Sequence, residues 1–290
     1  MRKPNNELAT IALFIVSGIT QYTGAALAVV LFSVLAPTTV AWWRVAISAV
    51  VLLACRKPWR QRLTLREVAV SALFGIIMSG MNLAFYEAVA RLDLGVAVSL
   101  EFLGPVAVAV IGGRTWSSRI AAVIALTGVV LISGFGVDVG NPQIGWGIFW
   151  ALLAGALWAG YIVVGQKIAT KRSGLTSLSI GTAAGTIFYF PVAVKDFTVA
   201  FDSALLFLTV VGVAVLSTVV PYSIDQIIMG RISAPTFALL TALLPATSLL
   251  VGAVMLKQFP ATPSVIGLFC VSIAVWLASR PAPPRRLTRK

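Results

Sequence analysis

The segment 91-RLDLGVAVSLEFLGPVAVAVIG-112 decides the fold, because it is long, almost wholly apolar and repeated later in the chain. Displacing the sequence by 140 residues aligns it without a gap on 231-RISAPTFALLTALLPATSLLVG-252. Pro105 then falls on Pro245, and a proline inside a helix removes a backbone hydrogen bond. The two prolines are therefore expected to break two helices at the same depth.

Similar apolar runs fill the rest of the chain. Of the 290 residues, 59% are hydrophobic and only 11% are charged, and the mean hydropathy is +0.98. Soluble domains carry about 25% charged residues, whereas a membrane-spanning helix needs about 20 predominantly apolar ones. The runs are too long and too evenly apolar for barrel strands. The sequence predicts an all-α integral membrane protein with ten transmembrane helices, at 8–31, 38–55, 66–89, 94–112, 119–136, 145–167, 176–194, 203–229, 234–256 and 263–279.

The repeat predicts the arrangement of these helices. The displacement places the fourth span on the ninth, so that each half contains five spans. An odd number of spans means that the second half enters the membrane upside down, as in transporters that bind substrate between inverted halves. We therefore expect one five-helix repeat in residues 1–140, an inverted one in 141–279, and a basic cytoplasmic tail in 280–290.

The basic residues predict the orientation of the chain. The formal net charge of +13 would suit a nucleic-acid-binding protein, but the charges are not gathered into one patch. If the N-terminus is cytoplasmic, 18 of the 22 Lys and Arg residues fall on cytoplasmic segments. This bias is typical of positive-inside sorting. It predicts that both termini are cytoplasmic and that nucleic acid is not a partner; the partner on all sides is the lipid bilayer.

Residue types exclude most chemistry that needs a cofactor. The chain has no histidine, and its two cysteines, Cys55 and Cys270, lie in or beside apolar runs without metal-ligand spacing. A zinc site, a haem ligand and a Ser-His triad are therefore not expected. No G-x-x-x-x-G-K motif is present, so an ATP-driven pump is disfavoured. We predict no cofactor, no metal and no enzyme, which leaves a secondary carrier or a facilitator.

Two carboxylates lie inside apolar spans, each beside a helix-breaking proline. Pro105 cannot donate a hydrogen bond to the carbonyl of Glu101. Pro221 likewise leaves the carbonyl of Ser217 free, and Asp225 follows Pro221 by four residues. A charge in the membrane interior costs several kcal/mol. Glu101 is about 10 Å from the start of its span at 1.5 Å per residue. That depth favours a carboxylate that faces a cavity over one that reaches the lipid headgroups.

Further polar and aromatic side chains within the spans are candidate contacts for a substrate or for coupling. Arg44 could pair with either carboxylate or extend toward an interface. The others could equally be hydrogen-bonding contacts between helices. They are Gln21, Asn82, Tyr86, Trp158, Tyr161, Tyr222 and Ser223.

Four stretches carry a resemblance to a known family: 80-GMNLAFY-86, 94-LGVAVSLEFLGPVAVAV-110, 157-LWAGYIVVGQK-167 and 216-LSTVVPYSIDQI-227. With the ten-span plan, they identify the chain as similar to the drug/metabolite transporter superfamily, EamA type, and within it to the threonine/homoserine exporter branch. One position departs from that branch: Val29 stands where a lysine is expected.

The resemblance implies a secondary transporter of the inner membrane that exports small amino acids or related metabolites by alternating access. In that reading Glu101 is a proton site or the counterion of the substrate's ammonium group. A broad-specificity drug exporter of the same fold is the alternative, since eight Trp and fifteen Phe residues could line a hydrophobic cavity. The sequence predicts neither the oligomeric state nor whether protons are coupled.

The predicted orientation can be tested with reporter fusions. Green fluorescent protein fused after Lys290 should fluoresce, because it folds in the cytoplasm, and alkaline phosphatase at the same position should be inactive. A fusion truncated after Lys195, in a loop predicted to be periplasmic, is the matched control and should give the opposite pair of results. Phosphatase activity at Lys290 would overturn the topology.

Overall fold

The computed structural model describes residues 5–112, 116–135, 141–169, 173–230, 241, 244–259 and 262–278. Within these ranges every regular element is a helix. The α-helices are α1 (Asn5–Leu31), α2 (Pro37–Arg56), α3 (Leu65–Val89), α4 (Leu94–Glu101), α5 (Leu103–Gly112), α6 (Trp116–Phe135), α7 (Pro142–Ala169), α8 (Gly174–Ala193), α9 (Ala204–Ala214), α10 (Val220–Met229), α11 (Leu244–Met255) and α12 (Thr262–Ala278).

The all-helical membrane class predicted from composition is confirmed. Six helical segments of the described chain are long and apolar enough to cross a bilayer, and shorter apolar helices add to them. The six are Ala12–Leu31, Pro37–Arg60, Leu65–Val89, Pro142–Ile168, Gly174–Ala193 and Ala204–Met229. The protein therefore passes the membrane several times. Much of the predicted run 234–256 and the whole tail 280–290 lie outside the described residues.

The helices turn apolar side chains outward. Val50 on α2, Ile187 on α8 and Leu205 on α9 are 69%, 77% and 76% exposed, while Arg44, Ser48 and other polar side chains are buried. A water-soluble bundle shows the opposite distribution. The outer surface of the bundle therefore suits lipid, and its polar groups must find their partners inside.

Two of the predicted spans are interrupted at their prolines. In the span 94–112, α4 ends at Glu101 and α5 begins at Leu103, which puts Pro105 in the first turn of α5, where a proline is tolerated. In the span 203–229, a five-residue π-helix, Val215–Val219, joins α9 to α10, and Pro221 is in the first turn of α10. Pro221 thus occupies the first turn of α10, where a helix tolerates a residue without an N–H.

Glycines allow the helices that carry these breaks to pack closely. α3 lies against α7 and α8, and α4 and α5 lie against α7. A Cβ atom built on Gly75 of α3 would be 1.9 Å from the carbonyl oxygen of Gly181 on α8. A Cβ atom on Gly104 of α5 would be equally close to the carbonyl oxygen of Gly155 on α7. Backbones in direct contact are typical of membrane helices, where small residues replace hydrophobic driving force.

The contact between α3 and α8 predicts a stability difference between two glycine substitutions. Gly75→Ala should destabilise the purified protein by about 1–3 kcal/mol, because the added methyl group must push two backbones apart. Gly212→Ala on α9 is the matched control, since a Cβ atom there meets nothing within 4 Å. That variant should be neutral or slightly stabilised, as alanine favours helix over glycine.

The measurement is the thermal unfolding of both variants in one detergent. Equal melting temperatures would contradict the close backbone contact between α3 and α8.

Candidate functional site

One polar cavity lies among the helices that carry the breaks. Eight of the ten residues that the sequence analysis singled out as possible substrate or coupling contacts line it. It contains two carboxylates and one guanidinium, surrounded by aromatic and aliphatic side chains. Its lining residues are Gln21, Ala25, Arg44, Met81, Asn82, Phe85, Glu101, Trp158, Tyr161, Tyr222, Asp225, Thr241 and Leu244.

Glu101 is the last residue of α4 and presents its carboxyl group to the cavity. It is 7% exposed, and its carboxyl group has no hydrogen-bond partner among the described residues. The next residue, Phe102, packs edge-on against Trp158, with 4.7 Å between ring centroids. A buried carboxyl group without a partner is costly in an interior, so this group is available to a ligand or a proton.

The backbone around Glu101 is held at both ends of α4. At the start, the N–H of Leu94 donates to Oε1 of Gln258, 3.1 Å away. Asp93, the residue before the helix, makes no side-chain cap, and burial raises the pKa of its carboxyl group. At the end, a Cβ atom on Gly155 would be 2.6 Å from the carbonyl oxygen of Glu101. Only glycine lets α7 pack this closely against the break.

Arg44 on α2 is buried, at 1% exposed, and binds the interrupted helix across from it. Its Nη2 donates to the carbonyl oxygen of Ser217, at 2.6 Å, and its Nε to Oγ1 of Thr218, at 2.8 Å. Its guanidinium lies over the ring of Tyr86, 4.8 Å from the centroid. Arg44 is buried and does not extend to an interface. No described carboxylate contacts it directly, but Glu101 interacts with it electrostatically, so the pairing of the two charges stays a prediction.

Aromatic side chains fix the part of α2 that precedes Arg44. Nε1 of Trp42 donates to the carbonyl oxygen of Thr186 on α8, at 2.8 Å. The ring of Trp43 stacks on Phe197 with 5.0 Å between centroids and contacts Phe201 edge-on. Arg44 thus projects from a segment whose rotation about the helix axis is set by large, rigid neighbours.

Asp225 lines the cavity from α10, one turn after the helix break. Its Oδ1 accepts a hydrogen bond from Oγ of Ser17 on α1, at 3.3 Å, and the same hydroxyl lies 3.4 Å from the carbonyl oxygen of Pro221. The second carboxylate is therefore partly satisfied by the protein, unlike that of Glu101.

Two hydrogen bonds connect polar side chains across the cavity. The hydroxyl of Tyr222 donates to Oδ1 of Asn82, at 3.0 Å, while Nδ2 of Asn82 donates to the carbonyl oxygen of Met78. Nε2 of Gln226 donates to the hydroxyl of Tyr161, at 3.2 Å. The first bond joins α3 to α10 and so connects the two halves of the chain, whereas the bond from Gln226 joins α7 to α10 within the second half.

Two of the singled-out residues do not line the cavity. Tyr86 lies behind Arg44, and its hydroxyl is 3.5 Å from Oγ of Ser217. Ser223 on α10 is half-buried away from the cavity. Val29, the position that departs from the exporter branch, packs against the hydrophobic core instead.

Sequence reasoning missed some of the wall and the groups that hold the charges. Met81, Phe85 and Leu244 are apolar lining residues that no pattern distinguished from core. Ser17, whose hydroxyl binds Asp225, is a serine within a span, and such serines are more often contacts between helices. No group of three His, Cys, Asp or Glu residues in the described chain could hold a metal ion.

Comparisons with known proteins agree with this architecture. The EamA-like transporter family matches residues 145–280. The threonine/homoserine exporter RhtA of Salmonella typhimurium strain LT2 is 33% identical over 258 residues, which cover 89% of this chain and 86% of the relative. RhtA of Escherichia coli K12 is 32% identical over 235 residues, covering 81% and 79%.

A solved structure described only as a crystal structure of a protein has the same fold. It superposes with a TM-score of 0.59 at 18% identity and covers 93% of this chain and 96% of its own. The matched family and the two curated relatives are named as transporters and not as enzymes. The identities and their coverage show that the chain belongs to the EamA-like transporter family, alongside the threonine/homoserine exporters.

Proposed function

We propose that this protein is a secondary transporter that exports small amino acids or related metabolites across the inner membrane, with the substrate held in the cavity that Glu101 faces. The observation that carries the proposal is the buried carboxyl group of Glu101, which opens on a polar cavity and has no partner among the described residues. The related exporters of threonine and homoserine support the substrate class. An amino acid brings an ammonium group that such a carboxylate can bind.

The proposed architecture is ten spans arranged as two inverted repeats, and the cavity itself supports it. Tyr222 donates its hydrogen bond to Asn82, which lies 140 residues earlier, the displacement that aligns Pro105 with Pro245. A residue bonded to its own counterpart in the other repeat lies on the axis that relates the repeats. Three more pairs of lining residues have the same separation: Gln21 with Tyr161, Phe85 with Asp225, and Glu101 with Thr241.

Helix packing supports the same two-fold relation. Exchanging the repeats pairs α1 with α7, α2 with α8, α3 with α9 and α10, α4 and α5 with α11, and α6 with α12. The counterparts α2 and α8 pack together, as do α6 and α12. The remaining contacts occur in related sets: α3 with α7 matches α10 with α1, and α3 with α8 matches α9 with α2.

The proposed mechanism is alternating access by movement of one half against the other about this axis. Glu101 binds the ammonium group of the substrate or a proton, and Asp225, already bonded to Ser17, is the secondary carboxylate. With both carboxylates ionised and Arg44 charged, the cavity has one excess negative charge, which a buried site must balance. A bound proton or an incoming ammonium group would each balance it, so the two would compete. We place both termini in the cytoplasm.

The first prediction concerns the charge of Glu101. Glu101→Gln keeps the volume and the hydrogen-bonding capacity of the side chain, but it cannot ionise. It should reach the membrane at normal abundance and lose most efflux of labelled threonine or homoserine, whereas Glu101→Asp should retain part of it. Asp225→Asn should be milder. Efflux from cells is measured and normalised to the protein in isolated membranes.

A matched control is Glu87→Gln, which removes a carboxylate on α3 that pairs with Arg91 and does not line the cavity. This variant should export normally. Near-normal efflux by Glu101→Gln would mean that the carboxylate does not move substrate. Efflux of dyes but not of amino acids by the wild-type protein would favour the broad-specificity alternative.

The second prediction concerns the inverted repeats. In an experimental structure, superposing residues 1–140 on 141–279 should require a half turn about an axis in the membrane plane. Tyr222 and Asn82 are each other's counterparts, so the bond between them is unchanged when the two repeats exchange conformations. This hydrogen bond should therefore persist in both the inward- and the outward-facing state. A parallel arrangement of the halves, or a bond present in one state alone, would contradict the arrangement.

A further inference from the structure

Arg44 is a buried cation that no carboxylate contacts directly, although Glu101 lines the same cavity and interacts with it electrostatically. It is 1% exposed on α2, and no carboxylate of the described residues forms an ion pair with it. Its two hydrogen-bond acceptors, the carbonyl of Ser217 and the hydroxyl of Thr218, are neutral dipoles. The groups that contact the guanidinium directly therefore leave its charge unneutralised. A negatively charged group of a ligand can bind there, while the two carboxylates of the cavity suit a positively charged one.

Donors of the guanidinium remain free for such a ligand. Arginine has five N–H groups in a planar fork, and the described residues occupy one on Nε and one on Nη2. Nη1 donates to no described residue, and Arg44 lines the cavity. A carboxylate accepts two parallel hydrogen bonds from a guanidinium, so the unused side of Arg44 has the geometry that a carboxylate needs.

The break in the helix opposite Arg44 sets the orientation of the guanidinium. Because Pro221 has no N–H, the carbonyl of Ser217 is left for Nη2 of Arg44. The ring of Tyr86 supports the flat face of the guanidinium, 4.8 Å from its centroid. Oγ of Ser48, one turn along α2, donates to the carbonyl oxygen of Arg44 at 2.6 Å. A group oriented before the ligand arrives loses less entropy on binding.

A purely structural role does not account for the charge. A neutral amide could donate to the carbonyl of Ser217 at a much lower desolvation cost than a guanidinium. The proposed two-fold relation also indicates that the fold does not need this charge, because the counterpart of Arg44 in the second repeat is Ala184. The scaffold therefore packs without a cation at this position.

We infer that Arg44 binds the carboxylate of the transported molecule while Glu101 and Asp225 bind its ammonium group. The transporter thereby selects amino acids over amines that lack a carboxylate. This inference rests on the proposed function and specifies the ligand: a zwitterion whose two charged groups lie between α2 and the α4 break. The hydrogen bonds from Arg44 to Ser217 and Thr218 position the guanidinium for that role.

The test compares ligands that differ only in the carboxylate. Purified protein in liposomes is loaded with unlabelled L-threonine, and uptake of labelled L-threonine by exchange is measured against three competitors: L-threonine, its methyl ester and 1-amino-2-propanol, the corresponding amine. Wild-type protein should bind the ester and the amine about 10- to 100-fold more weakly than threonine, as expected for a lost charge-assisted hydrogen-bonded pair.

Variants then assign this discrimination to Arg44. Arg44→Gln should weaken threonine about 10- to 100-fold and leave competition by the amine within about twofold, so the preference collapses. Because that variant exchanges labelled threonine poorly, its ligand affinities are read from the shift of its thermal unfolding by each compound. Arg44→Lys should recover part of the preference. Arg56→Gln, on the same helix and away from the cavity, is the control and should behave as wild type.

The outcomes separate the two proposals. Threonine exchange without discrimination against the ester and the amine would overturn the role of Arg44 and leave the export function standing. The same holds if Arg44→Gln weakens threonine and the amine equally. If Arg44→Gln does not fold, Arg44→Lys decides: a preference for threonine over the amine equal to that of wild type would overturn the role of Arg44, and a reduced preference would support it. Absence of any amino-acid exchange by the folded wild-type protein would overturn both.

Discussion

The constraint on which this structure depends is that no backbone polar group within a bilayer can be left to water. Each interruption of a helix must therefore supply a partner for the groups that it frees. The carbonyl of Ser217, released by Pro221, is taken by Arg44 from α2. The N–H of Leu94, at the start of the short helix α4, is taken by Gln258, more than 160 residues later in the chain. The satisfied breaks are also cross-links between distant parts of the chain, and they surround the cavity.

Close packing of small residues holds these helices together, because apolar burial gives little driving force for helix association among lipid chains. Gly75 against Gly181 and Gly104 against Gly155 bring backbones into contact at the helices that carry or flank the cavity. Because Gly155 lies against the carbonyl of Glu101, the same contact sets the depth at which the carboxylate enters the cavity. Stability and the position of the functional group thus depend on one glycine pair, so substitutions there would alter both.

The sequence predicted well where each helix begins and ends across the membrane, but poorly which face of the helix meets which neighbour. Apolar runs gave most helices to within a few residues, because hydropathy measures how far a segment extends through lipid. The same runs are apolar around their whole circumference, so they carry little information on which face meets which neighbour. For that reason the partner of Arg44 could not be foreseen, and Ser223 was grouped with Tyr222 although the two point apart. The repeat itself carries one such contact, because the 140-residue displacement pairs Asn82 with Tyr222, and the two side chains are hydrogen-bonded.

The proposed arrangement combines a two-fold related scaffold with charges that are not so related, and this combination suits a carrier. If the helices correspond between the halves as proposed, a movement that opens one side has a counterpart that opens the other. The charged groups do not correspond: the 140-residue displacement relates Glu101 to Thr241, Asp225 to Phe85 and Arg44 to Ala184. A ligand with two opposite charges would therefore have one favoured orientation in the cavity. That orientation would stay the same when the two repeats exchange conformations. In the proposed mechanism the two-fold relation allows the movement, and the three charged positions that depart from it select the substrate.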